Sequence, residues 1–302
     1  MADALQAFGH IDILLCCNTE GQVGILERYK LVITCSTALF GTVEELSQSE
    51  RTQTLVRDQF ATNFFAPINM IKAVLPSMRE NKDGHILLLS AVSELSRGSK
   101  YFPRCTENQL NEAGHLGTPG LGMYCASQWA IEGYCDSLAY EIAPFNIRLS
   151  IIQSSIEISI LTNRITAVPA MPQYMLPQNP APLSRGLFAR ILDQVVDEDP
   201  SPATGVSSPV GQVESGLVQP RSSAGERLRS NAISTLYPSL IPEFCDNLIA
   251  ETVHALIAIG GHDNPPARHI VGFEGIASVK EKLKTVSEEL EDFIEASGSV
   301  DL

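Results

Sequence analysis

Tyr124 and Gln128 stand four residues apart in Tyr124-Cys125-Ala126-Ser127-Gln128. On a helix that spacing puts both on one face, one turn from each other. A phenol can give or take a proton, and a carboxamide beside it can hydrogen-bond but supplies no charge. Cys16-Cys17 is the second feature with chemistry in it. Vicinal thiols suit redox work, yet as small apolar residues ending a buried strand they need no such role. The seven cysteines show no CxxC spacing, and the six histidines no HxxxH or HExxH pattern. No metal site or disulfide framework is therefore expected, and the thiols suit a reducing compartment.

The elements that must position Tyr124 are legible around it. Ile131, Tyr134, Leu138 and Ile142 recur at helical spacing, and Pro144 stops the run. Ile147-Arg148-Leu149-Ser150-Ile151-Ile152 reads as a buried strand. Gly84-His85-Ile86-Leu87-Leu88-Leu89 is an unbroken apolar run, suited to a parallel sheet covered on both faces. The resemblance described below implies further strands at 11–16 and 268–271. Residues 51–79 read as one long helix with an apolar stripe of Phe64, Ile68, Ile71, Leu75 and Met78, kinked at Pro67. Another helix is expected at 245–259. The last carries Ile276, Val279, Leu283, Val286, Leu290 and Phe293 at alternating steps of three and four, a stripe expected to pack on the chain's own sheet.

The chain has 302 residues, 44% hydrophobic and 19% charged, enough for one α/β domain with a sizeable core. Its formal net charge of −14 disfavours nucleic acid and anionic membrane as partners. No apolar run approaches the ~20 residues that span a bilayer. The first residues lack the basic start of a signal peptide, so a cytoplasmic location is expected. Residues 196–229 are rich in Pro, Ser and Gly and are expected to form a disordered insert. The single domain then comprises 1–195 and 230–302.

Several stretches together resemble the short-chain dehydrogenase/reductase family. Leu138-Ala139-Tyr140-Glu141-Ile142-Ala143-Pro144-Phe145-Asn146-Ile147-Arg148 follows the family's run after its Tyr-x-x-x-Lys. Phe8-Gly9-His10-Ile11-Asp12-Ile13-Leu14-Leu15 is similar to the entry into its fourth strand. Thr62-Asn63-Phe64-Phe65 and Ala73-Val74-Leu75-Pro76-Ser77-Met78 match its long central helix. The resemblance implies a partial Rossmann-like, doubly wound parallel α/β sheet lacking the first βαβ units, roughly 60 residues. The strand at 11–16 is then expected to expose an apolar edge, prone to self-association. If that edge is covered, Leu31-Val32-Ile33-Thr34-Cys35 is the expected substitute strand.

The resemblance also implies roles. Tyr124 corresponds to the family's proton-transferring tyrosine, Asn63 to the asparagine that helps hold a relay water, and Asn18 and Gln128 to cofactor contacts. The serine position falls on Ala91, with Ser90 one residue early as the weaker candidate. The family uses NAD or NADP to oxidise a hydroxyl or reduce a carbonyl, here on a small apolar molecule. A lysine cation normally lowers the tyrosine pKa from ~10 and holds the nicotinamide ribose. Gln128, Ala91 and Ser154-Ser155 each replace a working part, and no Gly-rich phosphate turn is present. Residues 169–181 occupy the place of the substrate-covering loop. Two readings follow: an oxidoreductase by descent, impaired as written, or a pseudoenzyme that binds a partner. That partner is a second copy or an active relative. A catalyst using Tyr124 without cofactor is a third.

Overall fold

The computed structural model describes residue 6 and residues 9–18, 32–34, 37–91, 117–154, 156–176, 178–196, 223–238 and 240–299. Its strands are β1 (Ile13–Asn18), β2 (Val32–Thr34), β3 (Thr37–Phe40), β4 (Gly84–Ala91), β5 (Ile147–Ser154), β6 (Arg164–Ala167), β7 (Ser234–Leu236) and β8 (Arg268–Ile270). Its α-helices are α1 (Val43–Ser47), α2 (Glu50–Phe60), α3 (Ala66–Asn81), α4 (Gly122–Ile142), α5 (Ile156–Leu161), α6 (Pro180–Val195), α7 (Ala224–Leu228), α8 (Pro242–Gly260), α9 (Gly272–Asp292) and α10 (Ile294–Gly298). None is long and apolar enough to cross a membrane.

The main sheet runs β2-β1-β4-β5-β8, with every neighbour parallel. Alternation along each strand sends side chains to two different helical layers. Leu14, Cys16, Ile86, Leu88, Leu149 and Ile151 meet Ile71, Val74 and Met78 of α3 and Ile131, Cys135 and Leu138 of α4. Leu87, Leu89 and Ile152 meet Ala255 and Ile259 of α8. Burying each such Leu or Ile contributes about 1.5–3 kcal/mol, so this double cover holds the sheet. It is the doubly wound α/β arrangement expected.

Three expectations need correction. The edge of β1 is not bare: β2 pairs with it at Cys16↔Val32, Cys17↔Ile33 and Asn18↔Thr34. The substitute strand forms because a parallel partner satisfies backbone groups that an apolar edge would otherwise leave unpaired. Residues 223–229, at the end of the segment expected to be disordered, form α7 and its turn. Ser223 and Glu226 cap that helix reciprocally, and Leu228 is fully buried. Gly225 has no side chain because a Cβ there would collide with the Ala189 carbonyl and Asp193. Residues 197–222 lie outside the described residues. The stripe of α9 packs unevenly: Ile276, Val279 and Val286 are half-buried, while Leu283, Leu290 and Phe293 are exposed.

A second sheet, β3-β6-β7, was not foreseen. β3 and β6 are parallel, and β6 and β7 antiparallel. The expected helix over 51–79 extends from 50 to 81 and loosens into a π-turn at Ala61–Phe65. Pro67 explains the site of loosening. It has no N–H for the carbonyl four residues back, and Ala66 N–H instead bonds Ala61 O. The π-turn carries Asn63 inward, where it is buried.

His85 couples the main sheet to pH. It is buried, and its Nε2 lies 3.1 Å from Ser150 Oγ. The Ser150 hydroxyl donates to Pro266 O at 2.8 Å, so Nε2 must be the donor to Ser150. Burial, with Arg148 nearby, lowers the His85 pKa to about 4. The unfolded chain therefore takes up a proton near pH 6.5 that the folded chain refuses until about 4. This contribution is full above pH 6.5 and is lost as the pH falls toward 4. Urea unfolding of the wild type and His85→Gln across that window checks it. The variant should show the shallower loss of stability, and equal slopes would count against this role for His85.

Candidate functional site

Tyr124 lies in the first turn of α4, which the Leu121 N–H···O Thr118 bond of 3.0 Å starts. Its side chain is 0% exposed. It belongs to an apolar cluster with Phe40 of β3, Ala91 at the end of β4, Leu121, and Leu187 and Phe188 of α6. Phe40 and Phe188 meet edge to face, with centroids 5.1 Å apart. The small sheet and α6 thus form a lid that seals the phenol inside the core.

Gln128 is buried one turn further along α4, and its Oε1 accepts from Ala91 N at 3.2 Å. Ser90 Oγ lies 3.3 Å from the same oxygen but 2.6 Å from Glu132 Oε1. A hydroxyl has one hydrogen, and the shorter, charge-assisted contact takes it. Ser90 therefore serves Glu132. Strand alternation points it at α4, while Ala91 joins the cluster around Tyr124. Glu132 also accepts from Gln153 Nε2 at 2.9 Å and lies 3.8 Å from Arg268 Nε. Arg268 pairs with Asp136 as well, a hydrogen bond that raises its pKa.

Asn63 reaches from the π-turn to β3 and α4. Its Oδ1 accepts from Thr37 N at 2.9 Å, and its Nδ2 donates to Thr37 O at 3.1 Å and Ser127 Oγ at 3.1 Å. Ser127 in turn donates to Tyr124 O at 2.7 Å. The amide assigned by resemblance to a relay water is here a structural clamp. Asn18 is the last residue of β1, in register with Thr34. The structure brings Tyr124, Gln128 and Asn63 together around one end of α4, and directs Ser90 to a neighbouring carboxylate.

Two further groups were not picked out from the sequence. Glu132 lies four residues beyond Gln128 and eight beyond Tyr124, so its spacing carried a usable signal. Glu45 and Arg185 carried none. Glu45 is buried; its Oε1 accepts from Met171 N at 2.9 Å and its Oε2 from Thr42 N at 2.8 Å and Arg185 Nη2 at 3.0 Å. Arg185 also donates to Val168 O at 2.8 Å. Burial lowers the Arg185 pKa, and the Glu45 carboxylate opposes that shift. The pair pins α6 to α1 beside a shallow depression bounded by Phe40, Gly120, Tyr174 and Met175.

The nicotinamide end of a dinucleotide needs the phenol and the residue one turn on to face an open cleft. Here the phenol is sealed, and Gln128 Oε1 is tied to the Ala91 amide. The residues present do not fit that group.

Arg185→Met should leave the Glu45 carboxylate buried without its cation, costing about 3–5 kcal/mol. Amide exchange should then rise across 169–192, and the double variant with Glu45→Gln should recover part of the loss. Unchanged exchange would mean the pair does not hold the lid. Gln59, one turn before Asn63, is 1% exposed, with neither amide atom hydrogen-bonded among the described residues. Gln59→Met removes that buried polar cost and should stabilise by about 1 kcal/mol in urea unfolding. A loss instead would show that the amide is engaged.

No family model matches the chain. The 3-ketodihydrosphingosine reductase of Bacteroides thetaiotaomicron is 36% identical over 102 residues, 34% of this chain and 30% of its own length. Retinol dehydrogenase 8 of Bos taurus is 31% identical over 139 residues, 46% of this chain and 35% of its own. Human 17-beta-hydroxysteroid dehydrogenase type 1 is 29% identical over 135 residues, 45% of this chain and 32% of its own. The matches therefore span about a third of each of these relatives. A short-chain dehydrogenase structure from Streptomyces avermitilis covers 99% of this chain and 75% of its own, with TM-score 0.56 and 19% identity, a likeness of fold. The relatives are named as a reductase and two dehydrogenases. The chain is thus similar in part of its sequence to short-chain dehydrogenases and reductases, and its fold is like that of a solved short-chain dehydrogenase.

Proposed function

We propose that this chain descends from NAD(P)-dependent oxidoreductases and now binds a small apolar alcohol or carbonyl compound without turning it over. The sealed Tyr124 phenol carries this reading. Proton transfer by tyrosine requires an open path to substrate oxygen and a cation that stabilises the phenolate. Gln128 supplies a neutral carboxamide in place of the cation. Ala91 supplies a methyl group where a hydroxyl would orient the carbonyl.

The ligand class rests on the walls and on the relatives. Phe40, Met175, Ala181 and Pro182 offer apolar surface along the depression beside the lid. The names retinol dehydrogenase, hydroxysteroid dehydrogenase and ketodihydrosphingosine reductase all specify oxygen on an apolar skeleton. A second reading, partnership with an active relative, is favoured by Trp129, Tyr140 and Phe145, which stand exposed along α4 and the turn after it.

Titration calorimetry with NADH and NADPH should show no micromolar binding. Thermal shift with retinol or a keto-steroid should raise the melting temperature, and neither compound should drive NAD(P)H oxidation. Cofactor-dependent turnover by the unaltered chain would overturn the reading. Absence of any thermal shift would favour the partner reading.

A further inference from the structure

Tyr174 and Met175 line the depression beside the lid, across from Ala181 and Pro182 at the start of α6. Met175 is 58% exposed and Leu176 56%. Pro172, Gln173 and Gln178 are exposed around them. Val43, which follows Thr42 of the same rim, is exposed as well. From Ile165 to Ser184 the sequence holds no Asp, Glu, Lys or Arg, although 19% of the chain is charged. This tip therefore has no ion whose hydration must be given up on leaving water.

An apolar phase also penalises backbone groups that lack partners. Here few are left to satisfy. Pro169, Pro172, Pro177, Pro180 and Pro182 carry no N–H. Met171 N–H donates to Glu45 Oε1 at 2.9 Å, Tyr174 N–H to Met171 O at 3.0 Å and Met175 N–H to Pro172 O at 3.1 Å. Asn179 N–H donates to Leu176 O at 3.0 Å, and Asn179 Oδ1 accepts from Ala181 N at 2.9 Å. Met175 and Leu176 thus stand on a turn that is already ordered, so contact through them costs little further conformational entropy.

We propose that the tip Met171–Leu176 seats on the surface of a zwitterionic lipid bilayer, with Met175 and Leu176 inserted at the headgroup boundary. Charge selects that partner. The rim carries Glu44, hydrogen-bonded by Tyr174, and the Glu45–Arg185 pair, whose charges cancel. With −14 on the chain, an anionic bilayer repels the approach and a phosphatidylcholine surface does not. A protein partner is oriented by polar side chains, and the tip offers little beyond the amides of Gln173 and Gln178. Two inserted side chains give weak, reversible seating rather than anchoring. The inference rests on the proposed ligand class for its purpose: compounds with oxygen on an apolar skeleton dissolve in bilayers, and a depression that opens there meets them directly.

Cosedimentation of the full chain with sucrose-loaded dioleoylphosphatidylcholine vesicles, without ligand, tests the seat. The wild type should pellet in proportion to lipid, and added salt should not release it. Met175→Asp and Leu176→Asp should each weaken binding at least about fivefold, and the double variant should stay in the supernatant. Both positions are exposed, so circular dichroism should not change. Phe293→Asp charges an equally exposed apolar position on α9 and should bind like the wild type. Adding phosphatidylserine to the vesicles should weaken binding. A wild type that never pellets overturns the inference, as does a double variant that still pellets. Equal losses in Phe293→Asp and Leu176→Asp overturn it too, since any exposed apolar group then suffices. A self-associated wild type that Leu176→Asp makes monomeric assigns the tip to protein contact and likewise overturns it. No ligand is present, so failure here leaves the ligand reading to stand or fall on its thermal shift.

Discussion

The amide of Asn63 pairs with both backbone atoms of Thr37, as a neighbouring strand would. β3 is the outer strand of the small sheet, so among the described residues its start has no strand on that side. Buried backbone groups must find partners, and leaving them unmet costs about 1–3 kcal/mol each. A single side chain meets both. The same amide reaches Ser127, and Ser127 reaches the carbonyl of Tyr124. The small sheet, the long helix pair and the tyrosine helix are therefore joined at one residue. The π-turn that Pro67 favours is what swings that residue inward.

Once β3 is held there, Phe40 falls over Tyr124 and meets Phe188 of α6. The lid closes by apolar packing and is pinned at its rim by Glu45 and Arg185. A buried ion pair adds little net stability over an apolar contact, but it fixes geometry because neither partner can leave alone. The phenol sits in a packed interior. The nearest ionised cluster, Glu132 with Ser90, Gln153 and Arg268, is spent on linking α4 to β4, β5 and β8.

Fold and chemistry rest on different things. The parallel sheet and its two helical layers are like those of a solved short-chain dehydrogenase. The residues one turn on from Tyr124 and at the end of β4 are a carboxamide and a methyl group. A fold persists through the sum of many apolar contacts, each replaceable by a similar one. A reaction centre depends on a few groups of fixed charge, and one neutral replacement removes its driving force.

Periodicity and composition alone determined the strands at 85–89 and 147–152, the long central helix, and the shared face of Tyr124 and Gln128; resemblance to a known family supplied the strands at 11–16 and 268–271. The resemblance to a known family, rather than periodicity, put Gln128 and Ala91 at positions where that family has other residues. The periodic features are local: side-chain alternation and helical spacing are written within a few residues of one another. Only the tertiary structure decided which way β1 found its partner, since any short apolar run could have paired there. It alone assembled β3, β6 and β7, strands of three or four residues drawn from three distant stretches. It alone buried Tyr124 and joined Glu45 to Arg185 across 140 residues. It also left half of the α9 stripe in solvent, though the helical spacing runs unbroken along it. Spacing says which side chains share a face, and only the packing of distant segments says what that face meets.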